Sequence, residues 1–216
     1  MKFIMAYSGG KDCTLCLDRL IRQGHEPVAL FTTVTRRGFN YNHGIRRDVY
    51  EKYEELLGIP VIFCETAELH NEDDMYNVLK DAIEKYHADA MVTGDIYRED
   101  VAAWNKHLAE RLNIELVCPL WNESSESILN EVLDRGYKFL IKAVKTDYLD
   151  PSYIGKQITK ELIEEFRQKK MDICGEDGEY HSITVDGPIF KGPMKVIFKE
   201  PVVGGGRAMS DVLLEG

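Results

Sequence analysis

Apolar runs and amphipathic stretches alternate along the first half of the chain. Short, mostly apolar runs predict strands, whereas apolar residues three and four positions apart predict helices. Strands are predicted at residues 3–6, 27–34, 59–64, 88–93 and 114–118, with helices at 45–57, 73–86 and 101–112 and a first helix that ends near Gly24. This alternation predicts right-handed crossovers and a parallel sheet with helices on both faces.

The pattern changes at Pro119-Leu120-Trp121, which we take as a domain boundary. Beyond it, helices are predicted at residues 126–133 and 156–169, strands at 137–144 and 182–185, and a last strand at 194–198 in a turn-rich tail. We therefore expect an α/β protein, with a three-layer sandwich over residues 1–121 and a smaller α+β domain over residues 122–216.

A glycine turn, Ser8-Gly9-Gly10-Lys11-Asp12, separates the first strand from the first helix. Adjacent glycines allow backbone dihedrals that other residues avoid, and they leave room for a ligand. The first N–H groups of a helix lack partners within it and carry partial positive charge, so they attract anions. Lys11 adds a full charge and Ser8 a hydroxyl donor. The turn predicts a phosphate site; the alternative is an ordinary turn with a surface lysine.

Other polar positions fall on the same edge of the predicted sheet. Ligands of parallel sheets bind beyond the carboxyl ends of the strands, where the strand order reverses. Thr33 ends the second predicted strand, and Gly94-Asp95 follows the fourth. We expect both to lie near the glycine turn.

Charge and cysteine content narrow the classes of protein. The net charge of -10 over 216 residues argues against a general binder of nucleic acids or anionic membranes, which needs excess Lys and Arg. Five scattered cysteines favour buried thiols in a reducing compartment over a disulfide framework. No apolar run approaches the roughly 18 residues that a membrane helix requires. Since the start also lacks the apolar core of a signal peptide, we expect a cytoplasmic protein.

Four strings of residues resemble one family. They are Ser8-Gly9-Gly10-Lys11-Asp12, Asn42-His43-Gly44-Ile45-Arg46-Arg47, Thr93-Gly94-Asp95-Ile96 with Glu99-Asp100, and residues 174–181 running on to Val185-Asp186-Gly187-Pro188. The chain resembles the diphthine-ammonia ligase family, in the branch called adenine nucleotide alpha hydrolase. The first string marks the wider PP-loop ATP pyrophosphatase superfamily, and the last is much narrower. Cys13 stands where the family commonly has Ser, and Asp100-Val101-Ala102 stands where the ligase branch often has Tyr-Gln-Arg.

The resemblance implies a nucleotide-binding fold of the adenine nucleotide alpha hydrolase type and an ATP-dependent ligase. Such an enzyme adenylates a carboxylate, releases pyrophosphate, and forms an amide with ammonia. The implied ATP-binding residues are Ser8, Gly9, Gly10, Lys11, Asp12, Cys13, Thr33, Gly94 and Asp95. Lys11 and the glycine amides suit the charge that develops on the leaving phosphates. Asp12 would repel phosphate directly, so a Mg²⁺ ion held by Asp12 or Asp95 is expected; alternatively, Asp12 is an acid favoured at a helix start.

Two further groups are candidates for substrate binding. His43 and Arg46 lie at a loop-to-helix junction, where they could bind an anion or form a solvated helix start. Glu176, Glu179 and His181 lie in a glycine-rich turn, where they could bind substrate or ammonium or simply form a tight hairpin. His181 is a candidate proton acceptor near neutral pH and, with Lys11 and Asp12, a candidate catalytic residue.

The acceptor stays open at this point. The resemblance implies diphthine on elongation factor 2 and free or partner-supplied ammonia, with no direct nucleic-acid or membrane contact and a homodimer as an option. Alternatives are amidation of a small metabolite, adenylation of the tRNA-thiolation type, and a nucleotide sensor. Cys13 and Cys16 share a helix face but lack further metal ligands nearby, which favours buried thiols over a cluster. Trp121 is a candidate for a pocket or for the core.

Overall fold

A computed structural model describes residues 1–40, 43–66 and 71–215. The chain divides into two compact units. The first unit comprises Met1–Ser8 and Asp12–Asn122, and the second comprises Gly9–Lys11 and the chain from Glu123 onward. Three residues of the glycine turn therefore count with the second unit, although their neighbours in sequence count with the first.

The first unit alternates strands and helices. Its elements are β1 (Lys2–Ala6), α1 (Lys11–Arg22), β2 (Glu26–Val34), α2 (Arg47–Leu57), β3 (Val61–Glu65), α3 (Glu72–Tyr86), β4 (Ala90–Val92), α4 (Glu99–Leu112) and β5 (Glu115–Val117). The five strands form one sheet in the order β3-β2-β1-β4-β5, and every pair is parallel. The α/β fold with a parallel sheet is confirmed.

The strand order reverses at β1, because β2 lies on one side of it and β4 on the other. Ligands of such sheets bind outside the carboxyl ends of the strands at this reversal. The glycine turn follows β1, and Gly94-Asp95 follows β4 by two residues. The topology thus brings both segments to the position where this class of fold binds its ligands.

One face of the sheet packs on α3 and α4. Ile4 and Phe31 from the strands pack in one cluster with Leu79 of α3 and Leu108 of α4, and all four side chains are almost completely buried. Burying side chains of this size removes enough apolar surface to contribute roughly 1.5–3 kcal/mol each. This packing holds the strand ends at fixed positions.

The second unit is built around an antiparallel sheet. Its elements are α5 (Ser125–Asp134), β6 (Lys138–Lys145), a 3₁₀ turn (Pro151–Tyr153), α6 (Lys160–Gln168), β7 (Tyr180–Asp186), β8 (Val196–Phe198), β9 (Val202–Gly204), β10 (Arg207–Met209) and β11 (Val212–Leu214). Four strands pair in the order β7-β6-β10-β9, and β11 pairs with β8. All these pairs are antiparallel. This is the smaller C-terminal α+β region that the sequence predicts.

The prediction that the last strand lies at residues 194–198 is wrong, because three strands follow β8. β9 and β10 form a hairpin around Gly205 and Gly206, whose φ angles are 59° and 75°. Two consecutive residues with positive φ are what a type I′ hairpin turn requires. The glycine run is therefore a structured turn.

The helix predicted at residues 156–169 begins later, at Lys160. Thr159 has an extended backbone and its side chain accepts a hydrogen bond from the Leu162 N–H, which is an N-cap. Before it, Gln157 forms a β-bridge with Leu140. The residues that the periodicity assigned to the first helical turn are thus held in extended form by the sheet.

Among the described helices, none combines the length and the apolar character that crossing a bilayer demands.

Gly187 tests the packing of the second unit. A Cβ at this position would lie 2.1 Å from Cδ1 of the Tyr137 ring, which is far inside van der Waals contact. We expect Gly187→Ala to lower the free energy of unfolding by about 2 kcal/mol or more in urea titrations, because a buried ring or the backbone must move. Gly192→Ala is the matched control, since nothing lies within 4 Å of its Cβ position. Equal stability of the two variants would contradict the described packing.

Candidate active site

Ser8 follows β1 by two residues and makes its contacts inside the first unit. Its carbonyl accepts a hydrogen bond of 3.1 Å from the Tyr50 hydroxyl, and its own hydroxyl lies 3.4 Å from the Cys13 sulfur. Tyr50 is completely buried, and burial raises the pKa of its phenol well above the usual range. The thiol of Cys13 thus takes the place beside Ser8 where the family commonly has a hydroxyl.

The middle of the glycine turn is held by β7 within the second unit. The Thr184 N–H donates to the Gly9 carbonyl at 2.8 Å, and the Lys11 N–H donates to the Ser182 hydroxyl at 3.2 Å. Gly9 has a φ of 79°, in the left-handed region that glycine tolerates best. Two backbone groups of a three-residue segment are therefore fixed by one strand.

The Lys11 side chain lies in the interior of the second unit. Its exposed fraction is 4%, its Nζ donates to the Cys174 carbonyl at 2.6 Å, and it lies 5.6 Å from the centroid of the Tyr180 ring. A carbonyl and an aromatic face both stabilise a buried ammonium. Lys11 is thus joined to the Glu176–His181 turn, and its contact with a phosphate stays a prediction.

Gly94 makes a close backbone approach in the first unit. A Cβ here would lie 3.0 Å from the Cys13 nitrogen and 3.3 Å from the Asp12 carbonyl carbon. The segment after β4 therefore touches the start of α1, as the sheet topology predicts. A side chain at this position would make the start of α1 give way by a few tenths of an ångström.

Asp95 follows Gly94 and is held by two donors. Its Oδ2 accepts hydrogen bonds from the Thr93 hydroxyl at 2.7 Å and from the Asn105 amide at 2.8 Å. Two donors on one oxygen orient the carboxylate. Asp12 and Asp95 thus stand on adjoining segments of the first unit, which suits the donor chemistry of Mg²⁺.

Thr33 lies at the end of β2 beside a buried asparagine. The Asn40 amide donates to the Thr33 carbonyl and to the Thr32 hydroxyl, each at 3.1 Å, and its Oδ1 accepts from the His43 N–H at 2.8 Å. This network fixes the chain on either side of residues 41 and 42. Those two residues, including Asn42 of the family string, lie outside the described residues.

The two arginines at the start of α2 have different neighbours. Arg46 forms a two-pronged pair with Asp48, with Nε–Oδ1 and Nη2–Oδ2 distances of 3.1 Å. The Arg47 guanidinium lies 4.1 Å from the centroid of the Phe63 ring and pairs with Glu51. Substrate binding by His43 and Arg46 stays a prediction.

The acid-rich turn before β7 is built around Asp172. The Asp172 carboxylate accepts from the Ser125 hydroxyl at 2.7 Å and from the Glu176 N–H at 2.9 Å. Glu179, which is 2% exposed, accepts from the Asp172 N–H through Oε1 at 3.1 Å. Glu179 therefore shapes the turn from inside, whereas Glu176 is partly exposed. Contact of either acid with a substrate stays a prediction.

His181 lies on β7 near three cations. Burial, with Arg207, Lys142 and Lys11 nearby, lowers its pKa to about 4. The imidazole is therefore neutral throughout the physiological range. A neutral imidazole can accept a proton, but this one holds a proton weakly, so any role as proton acceptor is that of a weak base.

Three of the cysteines are kept in the thiol form by burial. Burial raises the pKa of Cys16 well above its usual range, raises that of Cys64 to about 11, and raises that of Cys118. Within the described ranges, no group of three or more His, Cys, Asp or Glu side chains is arranged to hold a metal ion.

An open groove of about 400 Å³ lies in the first unit beside β5. Its lining comprises Ala102, Ala103, Lys106, Leu116, Cys118 and Trp121. The Cys118 sulfur lies 3.2 Å from the Thr93 hydroxyl, which in turn binds Asp95. Trp121 thus lines a surface groove on the candidate-site side of β4 and β5.

Several residues that organise the site carried little sequence signal. Tyr50 reads as an apolar residue of an amphipathic helix, and Asn40 as one polar residue of a loop. Asp172 precedes the family string by two residues, and only its position before a glycine turn could have suggested it. Lys142 interrupts the apolar run from Phe139 to Val144, and a lysine in such a run is itself a signal of a buried charge.

A parallel sheet with a glycine turn after β1 and a glycine-acid pair after β4 defines an α/β nucleotide-binding protein. Sequence models of the diphthamide synthase N-terminal and C-terminal domains match residues 1–116 and 124–206. The chain belongs to the diphthamide synthase family, and ATP binding through a PP-loop follows from that membership.

Curated relatives align along almost the whole chain. The diphthine-ammonia ligases of Mus musculus and Homo sapiens are each 26% identical over 239 residues, covering 98% of this chain and 89% of theirs. That of Schizosaccharomyces pombe is 25% identical over 225 residues, covering 94% of this chain and 37% of its own length. A solved structure described as a predicted tRNA methyltransferase subunit from Methanocaldococcus jannaschii covers 90% of this chain and 100% of its own, with 15% identity and a TM-score of 0.46.

The His181 environment predicts an acid-sensitive stability. Because its pKa is about 4 in the folded chain and near 6.5 when unfolded, the unfolded state takes up the proton first as the pH falls. This contribution to stability is complete above pH 6.5 and is lost progressively toward pH 4, by up to about 3 kcal/mol. In urea titrations across this window, His181→Gln should show a shallower loss than the wild type. Parallel curves would contradict the assignment of a neutral imidazole to the folded chain.

The Gly94 approach predicts a specific loss of nucleotide affinity. Gly94→Ala should displace the start of α1 and weaken ATP binding at least fivefold in calorimetric titrations. The reason is that the N–H groups at a helix start bind phosphate only when they point at its oxygens. Gly204→Ala, where nothing lies within 4 Å of the new Cβ, is the control. If a folded Gly94→Ala protein binds ATP with unchanged affinity, the contact between Gly94 and the start of α1 does not contribute to the nucleotide site.

Proposed function

We propose that this protein is an ATP-dependent ligase that adenylates a carboxylate and converts it to an amide with ammonia, as a diphthine-ammonia ligase does. The observation that carries the proposal is the tandem match to both diphthamide synthase domains, which together span nearly the whole chain. The glycine turn ahead of α1 supplies the anion-binding geometry that ATP requires.

The chemistry explains why such a site gathers positive charge. A carboxylate is a poor acceptor for ammonia, because its leaving group would be oxide. Attack of the carboxylate on the α-phosphorus forms the acyl-adenylate and breaks the bond to the β-phosphate oxygen, so pyrophosphate departs. Ammonia then displaces AMP. Groups that stabilise charge on the departing pyrophosphate accelerate the first step.

Six residues have the chemistry for that first step. The Gly9 and Gly10 amides and the Lys11 ammonium would bind the phosphates, with Ser8 as a further donor. Asp12 and Asp95 would hold Mg²⁺, and the oriented carboxylate of Asp95 fits such a hard cation. Bound Mg²⁺ supplies charge neutralisation of the phosphates. The hydrogen bond to the Cys174 carbonyl fixes the orientation of the Lys11 side chain. Its ammonium would therefore position the phosphates as well as attract them.

We assign the ATP-binding PP-loop to residues 1–121 and the substrate-binding region to residues 122–216. Glu176, Glu179 and His181 are the proposed acceptor contacts in the C-terminal region, and His43 and Arg46 are proposed to bind an anion in the N-terminal region. The acceptor is the carboxylate of diphthine on elongation factor 2, and the co-substrate is ammonia. The protein is proposed to act in the cytoplasm, with a homodimer as its assembly to be tested by light scattering.

Amidation of a small metabolite is the second candidate. One observation favours it, namely Asp100-Val101-Ala102 in place of the Tyr-Gln-Arg string that the ligase branch often carries. The two functions share the adenylation step and differ only in the acceptor.

Products distinguish the proposed reaction from other uses of ATP. The purified chain, with ATP, Mg²⁺, ammonium and diphthine-bearing elongation factor 2, should yield AMP and pyrophosphate together with an amide detected by mass spectrometry. Lys11→Met should lower this rate by about 100-fold or more, since one oriented donor to developing charge is worth that much. Lys52→Met, an exposed lysine paired with Glu55, is the control.

The outcomes separate the alternatives. ADP and phosphate as products would refute the adenylation. AMP formed with small carboxylates and not with the elongation factor would favour amidation of a small metabolite. Tight ATP binding without any acceptor-dependent turnover would indicate a nucleotide sensor.

A further inference from the structure

Lys142 is a buried charge that the reaction described above does not use. It lies on β6 with an exposed fraction of 0%, and within the described residues its Nζ has no hydrogen-bond partner. An ammonium deprived of both water and partners is costly to keep in a protein interior. A residue in that position calls for a ligand that restores the lost interactions.

A β-bulge places Lys142 opposite His181. In the ladder between β6 and β7, Ile141 pairs with Ser182 and Ala143 pairs with His181, so Lys142 is the extra residue. A bulge redirects a side chain out of the regular alternation. On the other edge of β6, the Lys142 carbonyl accepts from the Ser210 N–H at 3.2 Å. The backbone is therefore fixed from both sides.

Three cations from three separate elements act on His181. They are Lys142 from β6, Arg207 from β10 and Lys11 from the start of α1. Asp211 is the carboxylate that acts on Lys142, while burial lowers the pKa of that lysine to about 8. Lys11 belongs to the same neighbourhood by direct contact, because its N–H donates to Ser182, the residue after His181. Positive charge therefore accumulates around one imidazole.

We propose that Lys142 and Arg207 extend the Lys11 site into a cationic cluster that binds the pyrophosphate unit of ATP. The charge count favours this ligand over the acceptor carboxylate. One carboxylate matches one cation, whereas pyrophosphate carries several negative charges and has enough oxygens to accept from several donors. The assignment rests on the proposed function, because only a reaction that releases pyrophosphate needs such a cluster beside Lys11.

Binding of inorganic pyrophosphate to the full chain tests the cluster without turnover. In calorimetric titrations, Lys142→Met should bind pyrophosphate at least tenfold more weakly than the wild type, because a charge-assisted contact in the interior is lost. Lys145→Met is the matched control and should bind within about twofold, since it removes the same charge from the same strand, where the lysine lies by the Tyr148 ring. Arg207→Met should weaken binding in the same direction as Lys142→Met.

A second readout separates ligand binding from a structural role. A ligand anion favours the ammonium form of Lys142, so above pH 8 the wild type should take up more protons on binding pyrophosphate than Lys142→Met does. Titrations in buffers of different ionisation enthalpy measure this difference. Without ligand, Lys142→Met should be at least as heat-stable as the wild type, because an unpartnered buried charge is removed.

Each remaining outcome counts against the cluster. If Lys142→Met keeps the wild-type affinity for pyrophosphate, or if the wild type binds no pyrophosphate, the proposal is overturned. If the variant instead raises only the KM for the acceptor carboxylate, the cations belong to the acceptor. Failure of the proposed function is distinguishable, since it appears as wild-type protein that binds pyrophosphate but forms no AMP with any acceptor.

Discussion

A lysine ammonium that leaves water for a protein interior is stable only if other groups there interact with it. In the second unit, the backbone around Lys11 is arranged to provide such groups. The Cys174 carbonyl and the Tyr180 ring are what the structure offers to it. To present both, the turn must bring Cys174 over Tyr180, and Gly175 permits this with a φ of 77° at a point where a Cβ would lie 2.9 Å from Tyr180. The Tyr180 hydroxyl then donates to the Ile173 carbonyl at 2.7 Å. Gly175 thus allows the turn to approach Tyr180 closely enough to bury the charge of Lys11.

The acids of the same turn divide into two kinds. The carboxylates of Asp172 and Glu179 each accept a hydrogen bond from a backbone N–H group, and Asp172 also accepts one from the Ser125 hydroxyl. Both acids therefore stabilise the turn. Glu176 remains partly exposed and is the acid whose carboxylate is best placed to meet a ligand. The sequence alone cannot show this division, because both kinds are acidic residues and only their burial and hydrogen bonds differ. Two acids with structural roles and the partly exposed Glu176 therefore lie within one turn.

The sheet could be predicted from the sequence because each of its strands is separated by a helix with clear periodicity, and Gly94 could be placed because the topology fixes its edge. The hairpin of β9 and β10 could not, because three-residue strands carry too little alternation to be told from loop. Nor could the bulge at Lys142, which depends on the register between β6 and β7. The environment of His181 was beyond reach for a related reason: its cations lie at residues 11, 142 and 207, and only the folded sheet makes them neighbours.

The proximity of Lys11, Lys142 and Arg207 destabilises the ligand-free chain. Like charges repel, and Lys142 gives up hydration as well, so apolar burial nearby must offset both costs. Ile141, Ala143 and Val144 on β6 are almost completely buried, and the Phe166 and Tyr180 rings pack with centroids 5.4 Å apart. Each large buried side chain contributes roughly 1.5–3 kcal/mol, so this core is of the size needed to hold a strained charge distribution in place. The arrangement is then preorganised: its electrostatic cost is met during folding, and a polyanion that enters finds the donors already oriented.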